Sequence, residues 1–129
     1  MNEYNQIEFE NLIADLNSND LENRIKTSEK ICWFAENKSE NLDYHQLKNN
    51  INKLIDVLKI ETNPDVGYKL GESIFEFIWL DKLSKKEVEE IIIKLVNLNT
   101  FWIFPSYLEN DDYINFSGVK EYLKKYKKS

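Results

Sequence analysis

The sequence predicts an all-α fold, and three observations support this prediction. Apolar residues recur at three- and four-residue steps in several segments, which is the spacing along one side of a helix. Three glycines and two prolines in 129 residues leave few of the turn residues that a sheet-rich chain needs. Asn63-Pro64 and Ser84-Lys85-Lys86-Glu87 match the residues that begin helices. We therefore expect one domain, residues 1–129, of about six helices.

The clearest helix is predicted over residues 63–79. Asn63 can cap its first turn, and Pro64 suits the first helical position, where its missing N–H would have had no partner. Its inner side carries Val66, Leu70, Ile74, Phe77 and Ile78. Its outer side aligns three carboxylates with one lysine and is bordered by three aromatics: Asp65, Glu72, Glu76, Lys69, Tyr68, Phe75 and Trp79.

Three predicted helices precede this one. The first covers about Asn5 to Leu16 and buries Leu12, Ile13, Leu16 and either Ile7 or Phe9. The second follows a polar turn ending at Asp20, runs to about Glu36, and buries Ile25, Ser28, Ile31, Cys32 and Phe34. A third, from about Tyr44 to Ile60, follows a polar linker and buries Leu47, Ile51, Leu54, Ile55 and Leu58.

Two more helices are predicted after residue 80. Ser84 and Glu87 form a capping box for the fifth helix, and Ser117 is expected to cap the last one. Residues 99–116 are dense in aromatics and form either a packed connection or a short helix around Phe101 to Phe104. The terminal lysines either complement the dipole of the last helix or contact an anionic surface; they are Lys124, Lys125, Lys127 and Lys128.

The second and fourth helices are similar to each other. Subtracting 43 from each number aligns Asp65, Lys69, Glu72, Ile74 and Phe77 with Glu22, Lys26, Glu29, Ile31 and Phe34. A period near 42 with two helices per unit, and the phrase Asn63-Pro64-Asp65-Val66 followed by Lys69, resemble HEAT or armadillo repeats.

The resemblance implies a short α-α superhelix of antiparallel helix pairs over about residues 5–36, 44–80 and 84–129, the last pair irregular. The match departs from the HEAT pattern at Asn63 and Gly67, where Asp and Arg are usual. An ordinary helical bundle with similar amphipathic helices is the alternative.

Charge favours a basic protein partner. The net charge is −6, but residues 1–112 hold 22 acids and 12 bases, whereas residues 113–129 hold one acid and five lysines. A phosphate backbone would be repelled by the acidic part, because nucleic-acid binding depends on clustered lysine and arginine, and Arg24 is the one arginine. An acidic surface instead attracts and orients a basic protein.

The sequence indicates no catalytic group and no cofactor. The one histidine, His45, has Tyr44 and Gln46 as neighbours, which suggests surface, and the glycines form no phosphate-binding loop. Cys32 lies among apolar residues, so a small core residue is favoured over a reactive thiol, and no intrachain disulfide can form. Six acids without a base in residues 1–22, and no long apolar run, favour a cytoplasmic protein without membrane contact.

The hypothesis is a non-catalytic binding module that contacts a protein through acidic, aromatic-edged helices; the sequence does not give its oligomeric state, and a monomer is favoured. Either the acidic and aromatic residues of these helices form a partner surface or they form a solvated face supported by Glu22–Lys26 and Asp65–Lys69 pairs.

The size, charge and fold class of the chain resemble those of a bacterial immunity protein of the contact-dependent growth inhibition type, which would neutralise a basic toxin, such as a nuclease. A general HEAT-like adaptor and a helical-repeat enzyme or repair domain are alternatives. The candidate partner-binding residues are Glu22, Glu29, Trp33, Asp65, Tyr68, Glu72, Glu76, Trp79, Glu109, Asp111 and Asp112.

The last three of these carboxylates form a separate loop cluster. Glu109, Asp111 and Asp112 are oxygen ligands that calcium accepts, but their spacing lacks the alternation and the glycine of an EF-hand loop. A solvated turn is favoured over a partner contact or a metal site.

Overall fold

Six α-helices form the part of the protein that the structure describes. The computed structural model describes residues 2–98, 108–109 and 112–127, with side chains for residues 6–98, 108–109 and 112–125. No strand occurs among these residues, so the all-α prediction is confirmed. The helices are α1 (Asn2–Asp15), α2 (Leu21–Asn37), α3 (Tyr44–Leu58), α4 (Pro64–Ile78), α5 (Lys85–Val96) and α6 (Val119–Lys127).

Two predicted caps are present at the starts of α4 and α5. The Asn63 side chain accepts hydrogen bonds from the backbone N–H of Asp65 at 2.9 Å and of Val66 at 3.2 Å, and Pro64 follows as the first helical residue. Ser84 and Glu87 form the expected capping box. A further capping box begins α3, because Asp43 and Gln46 each bond to the other's backbone N–H. This cap was not predicted: the polar linker expected before the third helix ends in the capping residue Asp43.

The prediction that Ser117 caps the last helix is wrong. The helix α6 starts at Val119, and the carbonyl oxygen of Gly118 accepts the hydrogen bond from the N–H of Tyr122 at 3.0 Å. Gly118 has φ of +88°, and a Cβ there would lie 3.2 Å from Val96 Cγ2. A left-handed glycine against α5 therefore sets where α6 begins. The predicted helix at 101–104 lies outside the described residues.

Helices α1 and α2 form an antiparallel pair. In the middle of α1, Glu8 pairs with Lys38, just beyond the end of α2, at 2.9 Å. Further along, the rings of Phe9 and Phe34 pack with centroids 5.5 Å apart. The second pair, α3 and α4, lies beside the first with the same arrangement, and α6 packs against α5.

The pairs stack so that corresponding helices lie side by side. The Gln6 amide donates to Asn50 Oδ1 at 3.0 Å, which joins α1 to α3 across 44 residues. The Tyr44 hydroxyl hydrogen-bonds Glu87, which joins α3 to α5 across 43 residues. Thus α1, α3 and α5 form one layer, and α2 and α4 form another. The sequence period corresponds to this stacking, and membership of the HEAT family stays a prediction.

One apolar core runs through these layers. All five predicted inner residues of α4 are buried, from Val66 to Ile78. Phe75, which was expected at the border of the outer side, is also fully buried, because its ring packs between Trp79 and Tyr113. In α1 the buried residue is Phe9, whereas Ile7 is 58% exposed. No helix in the described residues has the length and apolar character needed to cross a bilayer.

A buried ion pair fixes the connection between α3 and α4. Arg24 Nε lies 3.5 Å from Glu61 Oε1, and the Glu61 side chain is 6% exposed. The other carboxylate oxygen, Oε2, accepts the N–H groups of Thr62 and Asn63 at 3.1 and 3.0 Å. Arg24 also donates to the Ser18 carbonyl at 3.2 Å. The one arginine of the chain therefore has an internal, structural role.

We expect Arg24→Ala to lower the free energy of unfolding by about 2 kcal/mol, because it leaves the buried Glu61 carboxylate without its cation. Lys26→Ala is the matched control, since Lys26 pairs with Glu22 on the exposed side of the same helix and should cost about 0.5 kcal/mol or less. Urea denaturation followed by circular dichroism measures both. Equal losses in the two variants would contradict the structural role of the buried pair.

Candidate functional site

The candidate site lies where α2 packs against α4, the most extensive helix contact among the described residues. Small residues are buried at this contact, including Ser28 and Ser73. Their hydroxyls donate to carbonyl oxygens of their own helices, Ile25 and Lys69, both at 2.7 Å. These two serines are therefore buried without an unsatisfied hydroxyl group. Because their side chains are small, the residues of α2 and α4 at the edge of the contact come close together.

A thiol and two carboxylates meet at the outer edge of this contact. Cys32 Sγ lies 3.2 Å from Glu72 Oε1 and 3.4 Å from Glu36 Oε1. Burial and the two neighbouring carboxylates raise the pKa of the Cys32 thiol to about 12. The thiol is therefore protonated at neutral pH and acts as a hydrogen-bond donor to the carboxylates, which agrees with the predicted structural role.

The same three side chains are the one group in the described residues with donor atoms close enough for a shared metal ion, all within 4.8 Å of one another. The single thiol hydrogen can be donated to either carboxylate, and the distance to Glu72 is the shorter of the two. Glu72 is also held by Lys69, whose Nζ lies 3.3 Å from its Oε1. The donors are thus paired within the protein, and we describe them as a thiol–carboxylate cluster.

Glu76 adds a further carboxylate to this region. Burial raises its pKa, and the charges of Glu36 and Glu72 raise it further. Glu36 was not among the predicted site residues, although its position seven residues after Glu29 places it on the same side of α2. Glu29 and Glu36 of α2 with Asp65, Glu72 and Glu76 of α4 are called the acidic face below.

Lys69 does not form the ion pair that the sequence predicted. Instead of Asp65, four residues earlier, it binds Glu72, three residues later. Burial alone would lower the pKa of Lys69, but the hydrogen bond and charge of Glu72 outweigh this and raise it. The Lys69 ammonium also lies 5.9 Å from the centre of the Tyr68 ring. The predicted pair of Glu22 and Lys26 does form, at 3.6 Å.

Large aromatic side chains border the acidic face. Trp33 is 54% exposed and carries the ammonium of Lys38 over its ring at 5.5 Å. Trp79 is 47% exposed, and Tyr68 is half-buried. These three predicted site residues thus present aromatic surface beside the carboxylates.

The loop carboxylates lie on a different segment of the chain, after α5. Glu109 and Asp112 are exposed, and Asp111 lies outside the described residues. Asp112 lines an open cleft of about 570 Å³ with Trp79, Val88 and Phe116, so one member of the loop cluster adjoins the end of α4. No ligand chemistry is indicated by this mixture of apolar and charged groups.

His45 has no hydrogen bond or ion pair to a nucleophile or carboxylate among the described side chains. His45 is exposed and stacks edge-on against Tyr44, with ring centroids 5.3 Å apart. In comparisons with known proteins, no family model, no curated protein and no solved structure matches this chain.

We expect Cys32 in the native protein to react with a disulfide reagent such as Ellman's reagent at pH 8 at least about 100-fold more slowly than in guanidinium-unfolded protein. Burial limits access, and the raised pKa removes the nucleophilic thiolate. The absorbance of the released thiolate measures both rates. Comparable rates for the two states would show that the thiol is exposed and ionisable.

Glu76→Gln should stabilise the protein at pH 7 but not at pH 3. Because the folded state raises the pKa of Glu76, its stabilising contribution is complete below the unfolded pKa and is lost as the pH rises through the folded value. The neutral amide avoids this loss. Urea midpoints measured from pH 3 to pH 8 test it, with the exposed Glu40→Gln as control. A constant difference between variant and wild type would contradict the assignment.

Proposed function

We propose that this protein is a non-catalytic binding module whose acidic face binds a basic protein, and more specifically that it is an immunity protein that neutralises a toxin domain. The single observation that supports this is the concentration of five carboxylates on two adjacent helices. Three of them, Glu36, Glu72 and Glu76, lie close enough to raise the pKa of Glu76. The fold alone does not require such crowding.

A basic partner relieves this repulsion. Lys69 offsets part of the charge through Glu72, but Glu29, Glu36 and Asp65 have no ion pair with any described residue. A lysine- or arginine-rich surface placed against the acidic face supplies the missing cations. Trp33 and Trp79 add aromatic area at the border, which is the composition of strongly contributing interface residues.

A toxin domain with a cationic active site fits this arrangement. Enzymes that act on nucleic acid need positive charge to hold phosphates, and an acidic protein can cover that charge. The general adaptor remains the alternative, because the same face would serve any basic partner. The two functions differ in consequence, since the immunity protein must abolish a harmful activity.

Affinity capture from a lysate of the source organism tests the binding role. We expect the tagged protein to retain one basic protein stoichiometrically, and Glu29→Lys/Glu36→Lys to weaken that complex about 10- to 100-fold. Both positions are exposed, so the substitutions spare the half-buried Glu72 and Glu76. Glu40→Lys/Glu90→Lys is the control, because it changes the net charge equally at exposed positions outside the acidic face.

Expression of the captured protein in a neutral host then separates the two functions. Growth arrest that co-expression of the wild-type chain prevents, and that the Glu29→Lys/Glu36→Lys variant does not prevent, supports an immunity protein. A captured partner without toxicity supports the adaptor. Equal weakening by the control pair would show that net charge, and not the acidic face, controls binding.

A further inference from the structure

A cleft of about 490 Å³ opens between the first half of α2 and the first turns of α4. It is lined by Ile25 and Glu29 of α2 and by Asp65, Tyr68 and Lys69 of α4. Two predicted site carboxylates thus share one concave surface with an aromatic ring and an aliphatic side chain. The volume is within the range of pockets that hold a ligand group.

The two carboxylates in this cleft have no cation of their own among the described residues. The i,i+4 partner expected for Asp65 is Lys69, but Lys69 binds Glu72 at 3.3 Å. Glu29 likewise forms no ion pair within the described part of the chain, whereas Glu22 on the same helix pairs with Lys26. The cleft therefore presents two carboxylates without an ion pair, beside apolar surface and one lysine that is paired with Glu72.

Arginine matches these walls better than lysine does. Its planar guanidinium carries five donors, which lets one side chain bond two carboxylates from different helices. Guanidinium is also more weakly hydrated than ammonium and stacks on aromatic faces, so contact with Ile25 and Tyr68 costs it less. Its three methylene groups can lie along Ile25.

We propose that this cleft, the arginine cleft, is the part of the acidic face that receives an arginine side chain of the basic partner. The inference rests on the proposed function and assigns the partner a specific anchor. Lys69 also lines the cleft and forms an ion pair with Glu72. Its positive charge repels the incoming guanidinium and therefore limits the affinity of the cleft for arginine.

Titration with Nα-acetyl-arginine methylamide, followed by ¹⁵N-edited NMR of the full chain at low ionic strength, tests the arginine cleft without the partner. We expect saturable shifts centred on the amides of Ile25, Glu29, Asp65 and Tyr68, and none from the neutral citrulline analogue. Glu29→Gln/Asp65→Asn should weaken binding about three- to tenfold, and Lys69→Met should strengthen it. Asp15→Asn/Glu40→Gln, which removes the same charge from exposed positions elsewhere, should leave it unchanged.

The inference is overturned if the shifts spread over other surface acids, if citrulline reproduces them, or if both double variants weaken binding equally. These results are independent of the capture experiment. A partner captured in the absence of localised arginine shifts keeps the proposed function and removes the cleft. Localised shifts with no captured partner keep the cleft and remove the proposed function.

Discussion

The packing of α2 on α4 is the constraint on which the rest of the surface depends. Ser28 and Ser73 satisfy their hydroxyls within their own helices, so small side chains can be buried at the contact. The acidic residues next to that contact are then brought together from two helices, with Cys32 between Glu36 and Glu72. The crowding of charge is thus a direct result of how the apolar and small sides of the two helices fit.

Helices and caps could be predicted because their causes are local. Asn63, Pro64, Ser84 and Glu87 act within one helical turn, and the three- and four-residue spacing of α4 identifies its buried side. The start of α6 could not be predicted, because the left-handed φ of +88° that favours glycine at position 118, next to Val96 of α5, is a property of the folded chain. A capping serine and a left-handed glycine were adjacent in sequence, and only the folded structure decides between them.

The sequence predicted which types of residue form the candidate site, but it did not predict which of these residues form ion pairs with each other. Most of the acidic face was expected from helical spacing, yet Glu36 was missed and Phe75 was placed at the border. Asp65 and Glu72 both lie within one turn of Lys69, and helical spacing does not decide between them; in the structure Lys69 binds Glu72. That choice determines which acids remain without an ion pair, so the charge distribution of the acidic face follows from tertiary contacts as much as from sequence.

Glu87 shows how closely the local and the long-range parts of this fold are joined. The same carboxylate closes the capping box of α5, accepts the Tyr44 hydroxyl and pairs with Lys48 of α3 at 3.1 Å. These hydrogen bonds, that of Tyr44 first, lower its pKa to about 2. The first turn of α5 and its docking on α3 therefore share one group, which makes formation of the helix and assembly of the layer a single cooperative event.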